Sequence, residues 1–291
     1  MAERTFEDNN EAIEAWNTVL FDKFTRFRRV LVAGLGVHGA RAMDRLALKP
    51  GTSIVDIGCG FGDTTIELGK RLGPSGRAVG VDAAPRFIDQ ARSEAKAARA
   101  ENVTFEVADV ERVVPGGPYD LAYSRMGTMF FASPVIAMRN IRKSLASGGR
   151  LTMAVWRKRE ANECFHAAEL KIRELLGDPP KRDDQVTCGP GPFSMAGPDM
   201  VGDQLTAAGY TEITFERSDA DIEIGTNLDE AITFALEIGP AGEVVRLSGE
   251  TAVRRRAEID RAMREVLTPY VRADGEVWAP SSCWIISARA A

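Results

Sequence analysis

SIVDIGCGFGDTT, at residues 53–65, joins an apolar run that is typical of a buried strand to the start of a helical segment. Three glycines, Gly58, Gly60 and Gly62, lie between the two at a spacing of two residues. Glycine allows a tight turn and leaves the main chain bare, so a ligand can approach where a Cβ would collide. The free N–H groups at the start of the following helix favour an anionic group. We therefore predict a strand, a ligand-binding turn and a helix, in this order.

The alternation of short apolar runs with longer amphipathic segments continues from residue 53 to residue 155. Runs rich in Val and Ile predict strands at 53–57, 78–81, 103–107, 119–123 and 150–156. Helices are predicted between them, among them 63–72, 85–99 and 134–146, the last with Ser133 as N-cap and Gly148-Gly149 as its end. Strands that alternate with crossover helices indicate an α/β protein with a parallel sheet.

Segments outside this core are predicted mainly as helices. Apolar residues from Ile13 to Leu31 recur every three or four positions, which places them on one face of a helix. After the core come predicted helices at 161–176, 200–208, 228–238 and 251–267 and predicted strands at 212–224 and 283–288. The stretch 177–198 is crowded with Gly and Pro, and a loop of that length is usually a functional lid or a tether. No composition break divides the chain, so we predict one domain with an appended cap.

Acidic residues follow two further predicted strands. Asp82 ends the second strand, about twenty residues beyond Gly62, where a carboxylate can accept hydrogen bonds from both hydroxyls of a ribose. Asp109 follows the third strand, where it could accept from an adenine amino group while Val110 packs on the ring. Ligands of open α/β sheets bind at the carboxyl ends of the strands. Together with the glycine turn, these strand ends predict a pocket for an adenosine.

A second glycine pattern competes with this interpretation. Gly34, Gly36 and Gly39 form a literal G-x-G-x-x-G after the apolar residues 30–33, with Asp56 about twenty residues further on. Taken alone, this motif predicts dinucleotide binding and an NAD-dependent oxidoreductase. That assignment needs residues 30–33 to be a strand, whereas the helical periodicity runs through them. We therefore favour a helix break and a turn at 34–39 and keep the oxidoreductase as an alternative.

The motifs of the core resemble a known family. VDIGCGFGDTT (55–65), VGVDAAP (79–85), VTFEVADVE (103–111) and YDLAYSRMGTMFFASPVIAMRNIRKSLASGGRLTMAVW (119–156) are similar to the successive motifs of class I S-adenosylmethionine (SAM)-dependent methyltransferases. The resemblance covers residues 52–156. A weaker likeness in the tail is to bacterial small-molecule methyltransferases similar to the ubiquinone and menaquinone C-methyltransferases.

The resemblance implies a fold and a division of the chain. The implied fold is a Rossmann-like, mostly parallel seven-stranded sheet with helices on both faces and a helical cap. The predicted strand at 283–288 would be antiparallel to the rest and lie beside 213–224. Residues 1–50 would form an N-terminal helical lid, 51–156 the SAM-binding core, and 157–291 the cap helices, a loop and the strands that complete the sheet.

The resemblance also implies which residues bind SAM. Residues of the glycine turn would line the methionine side of the cofactor, Asp82 would hold the ribose, and Ala83 would flank the adenine. Ser124 and Arg125, at the end of the fourth strand, would border the sulfonium and the substrate. The predicted cofactor contacts are Asp56, Gly58, Cys59, Gly60, Gly62, Thr64, Asp82, Ala83, Asp109, Val110 and Ser124.

The implied reaction is methyl transfer to the oxygen, nitrogen or carbon of a small-molecule acceptor, by in-line displacement in a pocket that excludes water. A general base is needed only if the acceptor must lose a proton. His38 and His166 are the candidate bases, because an unperturbed imidazole pKa of about 6.5 suits proton transfer. Tyr123 is expected to pack its ring under the sheet. The predicted substrate contacts are Trp16, Arg125, Met126 and Met129.

Composition and charge exclude several other classes. A net charge of −5 and a pI near 5.4 argue against a nucleic-acid partner, which would need clustered Lys and Arg. The four cysteines form no C-x-x-C pair, so neither a metal site nor a disulfide framework is predicted. The longest uncharged apolar run, residues 30–40, is shorter than the roughly 18 residues of a membrane span. We predict a cytoplasmic protein with no membrane partner. A homo-oligomer, and a SAM-binding regulator without turnover, stay open as alternatives.

Overall fold

The computed structural model describes residues 6–178 and 190–291 of the chain. The strands are β1 (Ser53–Ile57), β2 (Arg77–Asp82), β3 (Val103–Val107), β4 (Tyr119–Arg125), β5 (Leu145–Trp156), β6 (Tyr210–Gly225) and β7 (Val277–Ala290). The helices are α1 (Phe6–Ala15), α2 (Phe21–Arg26), α3 (Arg28–Met43), α4 (Asp63–Leu72), α5 (Pro85–Ala97), α6 (Pro134–Lys143), α7 (Glu163–Leu176), α8 (Pro198–Ala208), α9 (Leu228–Glu237), α10 (Pro240–Leu247), α11 (Glu250–Arg254) and α12 (Arg256–Leu267).

These strands form one seven-stranded sheet in the order β3-β2-β1-β4-β5-β7-β6. The pairs β3-β2, β2-β1, β1-β4 and β4-β5 are parallel, while β7 is antiparallel to both β5 and β6. The predicted Rossmann-like fold, with its antiparallel last strand, is therefore confirmed. The strand order reverses between β1 and β4, and this reversal opens a crevice at their carboxyl ends, where open α/β sheets bind ligands.

Helices cover both faces of the sheet because its strands alternate apolar side chains between the two sides. On one face, Ile54 and Leu121 pack against buried residues of α3, α4 and α5. On the other face, Val55 and Leu151 belong to a larger cluster that includes residues of α6, α7, α8 and the four cap helices α9 to α12. The prediction that Tyr123 packs under the sheet agrees with its position on the first face, where its ring is fully buried.

Two predicted helices outside the cap differ clearly from the structure. The N-terminal helix predicted over 13–31 is divided by a π-helical segment, Trp16–Leu20, and by a break at Phe27. The helix predicted at 134–146 ends earlier, so Gly148 and Gly149 lie within β5 and do not end a helix. The reason is strand pairing. The N–H of Tyr119 in β4 donates to the carbonyl oxygen of Ser144 at 2.8 Å, so the chain already pairs with β4 before it reaches the two glycines.

The cap also differs from its prediction. The helix predicted at 251–267 is two helices, α11 and α12, and α10 was not predicted. In the Gly- and Pro-rich stretch 177–198, predicted as a lid or tether, residues 179–189 lie outside the described part of the chain. No helix in the described ranges 6–178 and 190–291 combines the length and the apolar character that crossing a bilayer requires.

The hexapeptide 34–39 lies inside α3, so the predicted helix break and turn is wrong. The strand that the oxidoreductase alternative requires at 30–33 is absent as well, because these residues are helical. Close packing explains two of the glycines. A Cβ at Gly34 would lie 2.5 Å from the carbonyl oxygen of Glu223, and one at Gly39 would lie 2.8 Å from Cδ of Arg125. The pattern that looks like a nucleotide-binding motif thus lets a helix lie directly against the sheet.

This packing predicts opposite effects for two Gly→Ala substitutions in one helix. Gly34→Ala forces its new methyl group against backbone and should lower the free energy of unfolding by about 1–3 kcal/mol. Gly36→Ala meets nothing within 4 Å and should raise the free energy of unfolding by up to about 1 kcal/mol, because alanine favours the helix. Chemical denaturation of both variants measures the difference. Equal effects would contradict the helical placement of the motif.

Candidate active site

The crevice at the strand ends contains a cavity of about 350 Å³. Its walls come from the carboxyl ends of β1, β2, β4 and β5, from the N-terminal helices, and from β6 and the cap. The predicted site residues that line it are Trp16, Gly58, Cys59, Gly60, Thr64, Asp82, Ala83, Asp109, Val110, Arg125, Met126 and Met129. The predicted site residues outside its lining are His38, Asp56, Gly62, Ser124 and His166.

The turn after β1 uses each of its glycines differently. All three have left-handed φ values, +67° at Gly58, +53° at Gly60 and +80° at Gly62, a conformation that a side chain disfavours. A Cβ at Gly58 would lie 2.9 Å from Cα of Gly127 and would push the ends of β1 and β4 apart. A Cβ at Gly60 would meet only a Phe87 ring carbon, at 3.9 Å. The main chain at Gly60 is therefore open to the cavity.

The Asp82 carboxylate is held by the main chain on both sides. Its Oδ2 accepts from the N–H of Gly60 at 3.0 Å, and its Oδ1 accepts from the N–H of Ala84 at 3.0 Å. Burial raises the pKa of Asp82, while these backbone hydrogen bonds favour the ionised form. Each carboxylate oxygen can accept a further hydrogen bond, so Asp82 can receive two donors from a ligand in the cavity.

Two further carboxylates, Asp109 and Glu111, lie after β3. Asp109 accepts from the N–H of Glu111 at 2.9 Å and has Arg112 Nε at 3.3 Å. Glu111, which the sequence analysis missed, is buried, lines the cavity, and accepts from the N–H groups of Ala132 and Ser133 at 3.0 and 2.6 Å. Burial raises the pKa of Glu111. Glu111 thereby connects the end of β3 to the loop that follows β4 and forms part of the cavity wall.

Asp56 lies beneath the glycine turn and does not line the cavity. Its Oδ2 accepts from the hydroxyls of Thr64 and Thr65 at 2.6 and 2.7 Å, which fastens β1 to the first turn of α4. Its Oδ1 is buried and has no hydrogen-bond partner in the described part of the chain. Burial raises the pKa of Asp56 to about 6. Ser124 is similarly internal, because its hydroxyl donates to the carbonyl oxygen of Ile57 at 2.8 Å.

The loop after β4 carries backbone strain at the cavity wall. Met126 is buried with φ at +62°, which a residue with a long side chain rarely adopts. Its N–H donates to the carbonyl oxygen of Ala154 at 2.9 Å, so β5 holds the strained residue in place. The Met129 sulfur accepts from the N–H of Trp156 at 3.3 Å. Strain of this kind persists only where the surrounding structure enforces it, and it is concentrated at functional sites.

Aromatic side chains close the cavity and cover its apolar end. The Trp16 ring lies edge-on to Phe24 at 5.1 Å and to Phe130 at 4.8 Å, measured between ring centroids. Sequence analysis identified Trp16 but missed several other aromatic residues in the lining: Phe61, Phe87, Trp156, Phe165, Phe193 and Phe234. The position of Trp156 at a strand end was a usable signal. The other aromatic residues belong to segments that are distant in sequence, and no local pattern predicts that they lie close together.

Neither histidine lines the cavity. His38, on α3, is fully buried against the paired strands β6 and β7, where its Nδ1 lies 3.0 Å from the Ser218 hydroxyl and its Nε2 lies 2.8 Å from the Ser281 hydroxyl. Ser218 accepts from Arg41 and so can donate to Nδ1, while Ser281 donates to Ala220 O and so accepts from Nε2–H. His38 is thus a neutral imidazole with both nitrogens satisfied. His166, on α7, has a buried Nδ1 with no hydrogen-bond partner in the described residues.

The sheet order and the antiparallel last strand give a Rossmann-like fold, with the cavity at the carboxyl ends of its parallel strands. Residues 48–182 match the family model described as a methyltransferase domain. This match covers just under half of the chain, and the resemblance predicted from the motifs is confirmed.

Similar proteins include enzymes of small-molecule metabolism. The chain is 25% identical over 202 residues to nocamycin O-methyltransferase of Saccharothrix syringae, covering 62% of this chain and 67% of that protein. It is 32% identical over 116 residues to aklanonic acid methyltransferase DauC of Streptomyces sp. strain C5, covering 39% of this chain and 52% of that protein. The matches thus span about half to two thirds of these relatives.

The structure is similar in fold to a solved enzyme of the nematode Haemonchus contortus. That protein is phosphoethanolamine N-methyltransferase 2 in complex with phosphomonomethylethanolamine and S-adenosylhomocysteine. The TM-score is 0.58 at 14% sequence identity, and the superposition covers 98% of this chain and 60% of that chain.

The surroundings of His38 predict a titration. Burial lowers the pKa of His38 to about 4, whereas the unfolded imidazole titrates near 6.5. The unfolded state therefore takes up the proton first, and the stability that neutral His38 contributes is present above about pH 6.5 and is lost as the pH falls toward 4. NMR should show the neutral Nε2–H form down to about pH 5. Titration of this imidazole near pH 6.5 would contradict the placement.

Proposed function

We propose that the protein transfers a methyl group from SAM to an oxygen, nitrogen or carbon atom of a small-molecule acceptor. The observation that carries this proposal is a single continuous cavity. At one end it presents Asp82 and the bare main chain of Gly60, and at the other it is lined by apolar side chains such as Trp156 and Phe234. A polar nucleoside end and an apolar acceptor end, joined at the carboxyl end of β4, suit a reaction between two bound molecules.

The residues present fit SAM. Asp82 would accept hydrogen bonds from the two ribose hydroxyls with its remaining lone pairs, and Asp109 would accept from the adenine amino group beside Val110. The open main chain at Gly60 would lie against the cofactor, because no Cβ occupies that space. The cofactor carboxylate would lie near the N–H groups that start α4, a helix of ten residues. Asp56, with one unpartnered oxygen beneath the turn, would add negative potential near the cofactor amino group.

The protein's part in the reaction is to hold the two molecules and to exclude water. When bound, SAM supplies a methyl group on a positively charged sulfur, and this charge disappears in the displacement. Trp16, Phe24 and Phe130 pack edge to face over the cavity and would keep water from the reacting atoms. The strained Met126 and its neighbour Met129 would position the acceptor at the end of β4. Correct positioning of this kind supplies much of the rate enhancement.

We propose no histidine base. His38 has both ring nitrogens engaged by serine hydroxyls, and His166 does not contact the cavity. Cys59 lines the cavity, but burial raises the pKa of its thiol well above the usual value, so it stays neutral. The displacement then suits an acceptor whose lone pair is already available.

The names of the relatives favour a small-molecule acceptor. Nocamycin and aklanonic acid, which two relatives methylate by name, are low-molecular-weight compounds. Extending this acceptor class to the present chain is part of our proposal, since the matches cover only part of each protein.

The cofactor proposal is tested by removing the Asp82 carboxylate. Asp82→Ala should weaken the binding of S-adenosylhomocysteine by about 10-fold to 100-fold, because a buried hydrogen bond to a charged group contributes about 1.5–3 kcal/mol. Isothermal titration calorimetry measures the affinity. Asp89→Ala is the matched control, since the Asp89 side chain is 74% exposed on the outside of α5. Equal affinity for wild type and both variants would contradict the proposed site.

Turnover separates an enzyme from a regulator that only binds SAM. Incubation of the protein with methyl-labelled SAM and a small-molecule extract should transfer label to a metabolite and release S-adenosylhomocysteine. Tight cofactor binding without label transfer in any extract would favour the regulator.

A further inference from the structure

Arg125 brings a positive charge to the wall of the cavity. It is the last residue of β4, next to the strained Met126, and it lines the cavity. Its aliphatic stem lies directly against α3, since a Cβ at Gly39 would be 2.8 Å from Arg125 Cδ. The same helix contributes Gly34 and Leu35 to the apolar half of the cavity. Arg125 thus belongs to the strand that lies between β1, whose end carries the glycine turn, and β5, whose last residue is Trp156.

The acidic residues that line the cavity all have partners other than Arg125. Of the acidic residues in the lining, Asp82, Asp109 and Glu111 accept from backbone N–H groups. The remaining three form ion pairs with arginines of α2 and α3, namely Asp63 with Arg28 at 2.8 Å, Glu223 with Arg29 at 2.5 Å and Glu237 with Arg26 at 2.5 Å. In the described part of the chain, none of these six carboxylates forms an ion pair with Arg125.

Arg125 itself has no hydrogen bond or ion pair with any residue in the described ranges 6–178 and 190–291. It is also the single Lys, Arg or His among the described residues that line the cavity. Asp56 is close enough for Arg125 to oppose the burial-driven rise in its pKa, yet no ion pair joins the two. A cation in a largely apolar cavity is costly unless an anion pairs with it.

We propose that Arg125 binds an anionic oxygen of the acceptor, so that the acceptor is an organic anion with an apolar, ring-sized body. This inference rests on the proposed methyl transfer and names the class of its substrate. Trp156, Phe165 and Phe234 supply flat apolar surface for the body. A guanidinium fits a carboxylate or an enolate, with which it forms charge-assisted, often paired hydrogen bonds.

The carboxylate of the cofactor is a second anion that Arg125 could bind. The start of α4, with Asp63 and Thr64 in the lining, already offers free N–H groups for that carboxylate. Arg125 packs instead against Gly39 of α3, the helix that also contributes Gly34 and Leu35 to the apolar lining. We therefore assign the guanidinium to the acceptor, and the experiment distinguishes the two sources.

The test compares charged and neutral probes of equal shape. 2-Naphthoate and 2-naphthamide are titrated into protein saturated with S-adenosylhomocysteine, as are cinnamate and cinnamamide. Wild type should bind each acid at least about tenfold more tightly than its amide, the effect of one charge-assisted contact. Arg125→Met and Arg125→Gln should remove this preference. Arg150→Met, at a half-exposed arginine of β5 that pairs with Glu212, is the matched control and should keep it.

The outcomes separate this inference from the proposed function. S-adenosylhomocysteine should bind wild type and the Arg125 variants equally, which also shows that the variants are folded. If the variants lose this affinity but still bind 5′-methylthioadenosine, which lacks the carboxylate, Arg125 serves the cofactor and the inference is overturned. An equal affinity for acids and amides in wild type overturns it as well, while intact cofactor binding leaves the proposed methyl transfer standing. Failure of wild type to bind S-adenosylhomocysteine would refute the proposed function itself.

Discussion

The left-handed turn after β1 is the constraint on which the whole crevice depends. Gly58 brings the ends of β1 and β4 into backbone contact, and Gly60 leaves open main chain facing the cavity. The N–H of Gly60 also donates to Asp82, so the turn fixes the carboxylate that ends β2. A side chain at either glycine would favour another backbone conformation, and one at Gly58 would also separate the ends of β1 and β4. One local conformation thereby sets the relative positions of three strands.

The second half of the crevice depends on how closely α3 approaches the sheet. Gly34 and Gly39 allow the helix to lie against β6 and β4, where any larger residue would collide. The helix then carries Arg28 and Arg29 into ion pairs with the core and the cap, and Arg125 is the one basic residue in the described cavity lining. The polar end of the cavity thus depends on Gly58 and Gly60, and its apolar end depends on Gly34 and Gly39.

Local periodicity was sufficient to predict most of the sheet. β1, β3 and α4 have the bounds that the alternation predicts, and Asp82 and Asp109 line the cavity because parallel strands end at one edge. Predictions at single residues were weaker where the direction of a side chain matters. Asp56 and Ser124 belong to the right strands, but their hydrogen bonds are internal.

Other features depend on contacts between distant segments and could not be read locally. The glycine pattern at 34–39 resembles a nucleotide turn, and its helical role becomes visible only when β6 is placed beside it. His38 is held by serines more than 170 residues away in sequence. Phe165 and Phe234 reach the cavity from two separate helices of the second half of the chain. Sequence patterns describe neighbours along the chain, whereas these groups meet only after the sheet has formed.

A crystal structure of the protein with S-adenosylhomocysteine is the most direct measurement of the central claim. The account predicts density for the nucleoside at the carboxyl ends of β1, β2 and β3, with both ribose hydroxyls within hydrogen-bonding distance of the Asp82 carboxylate. Density at any other place, or a ribose without contact to Asp82, would contradict it.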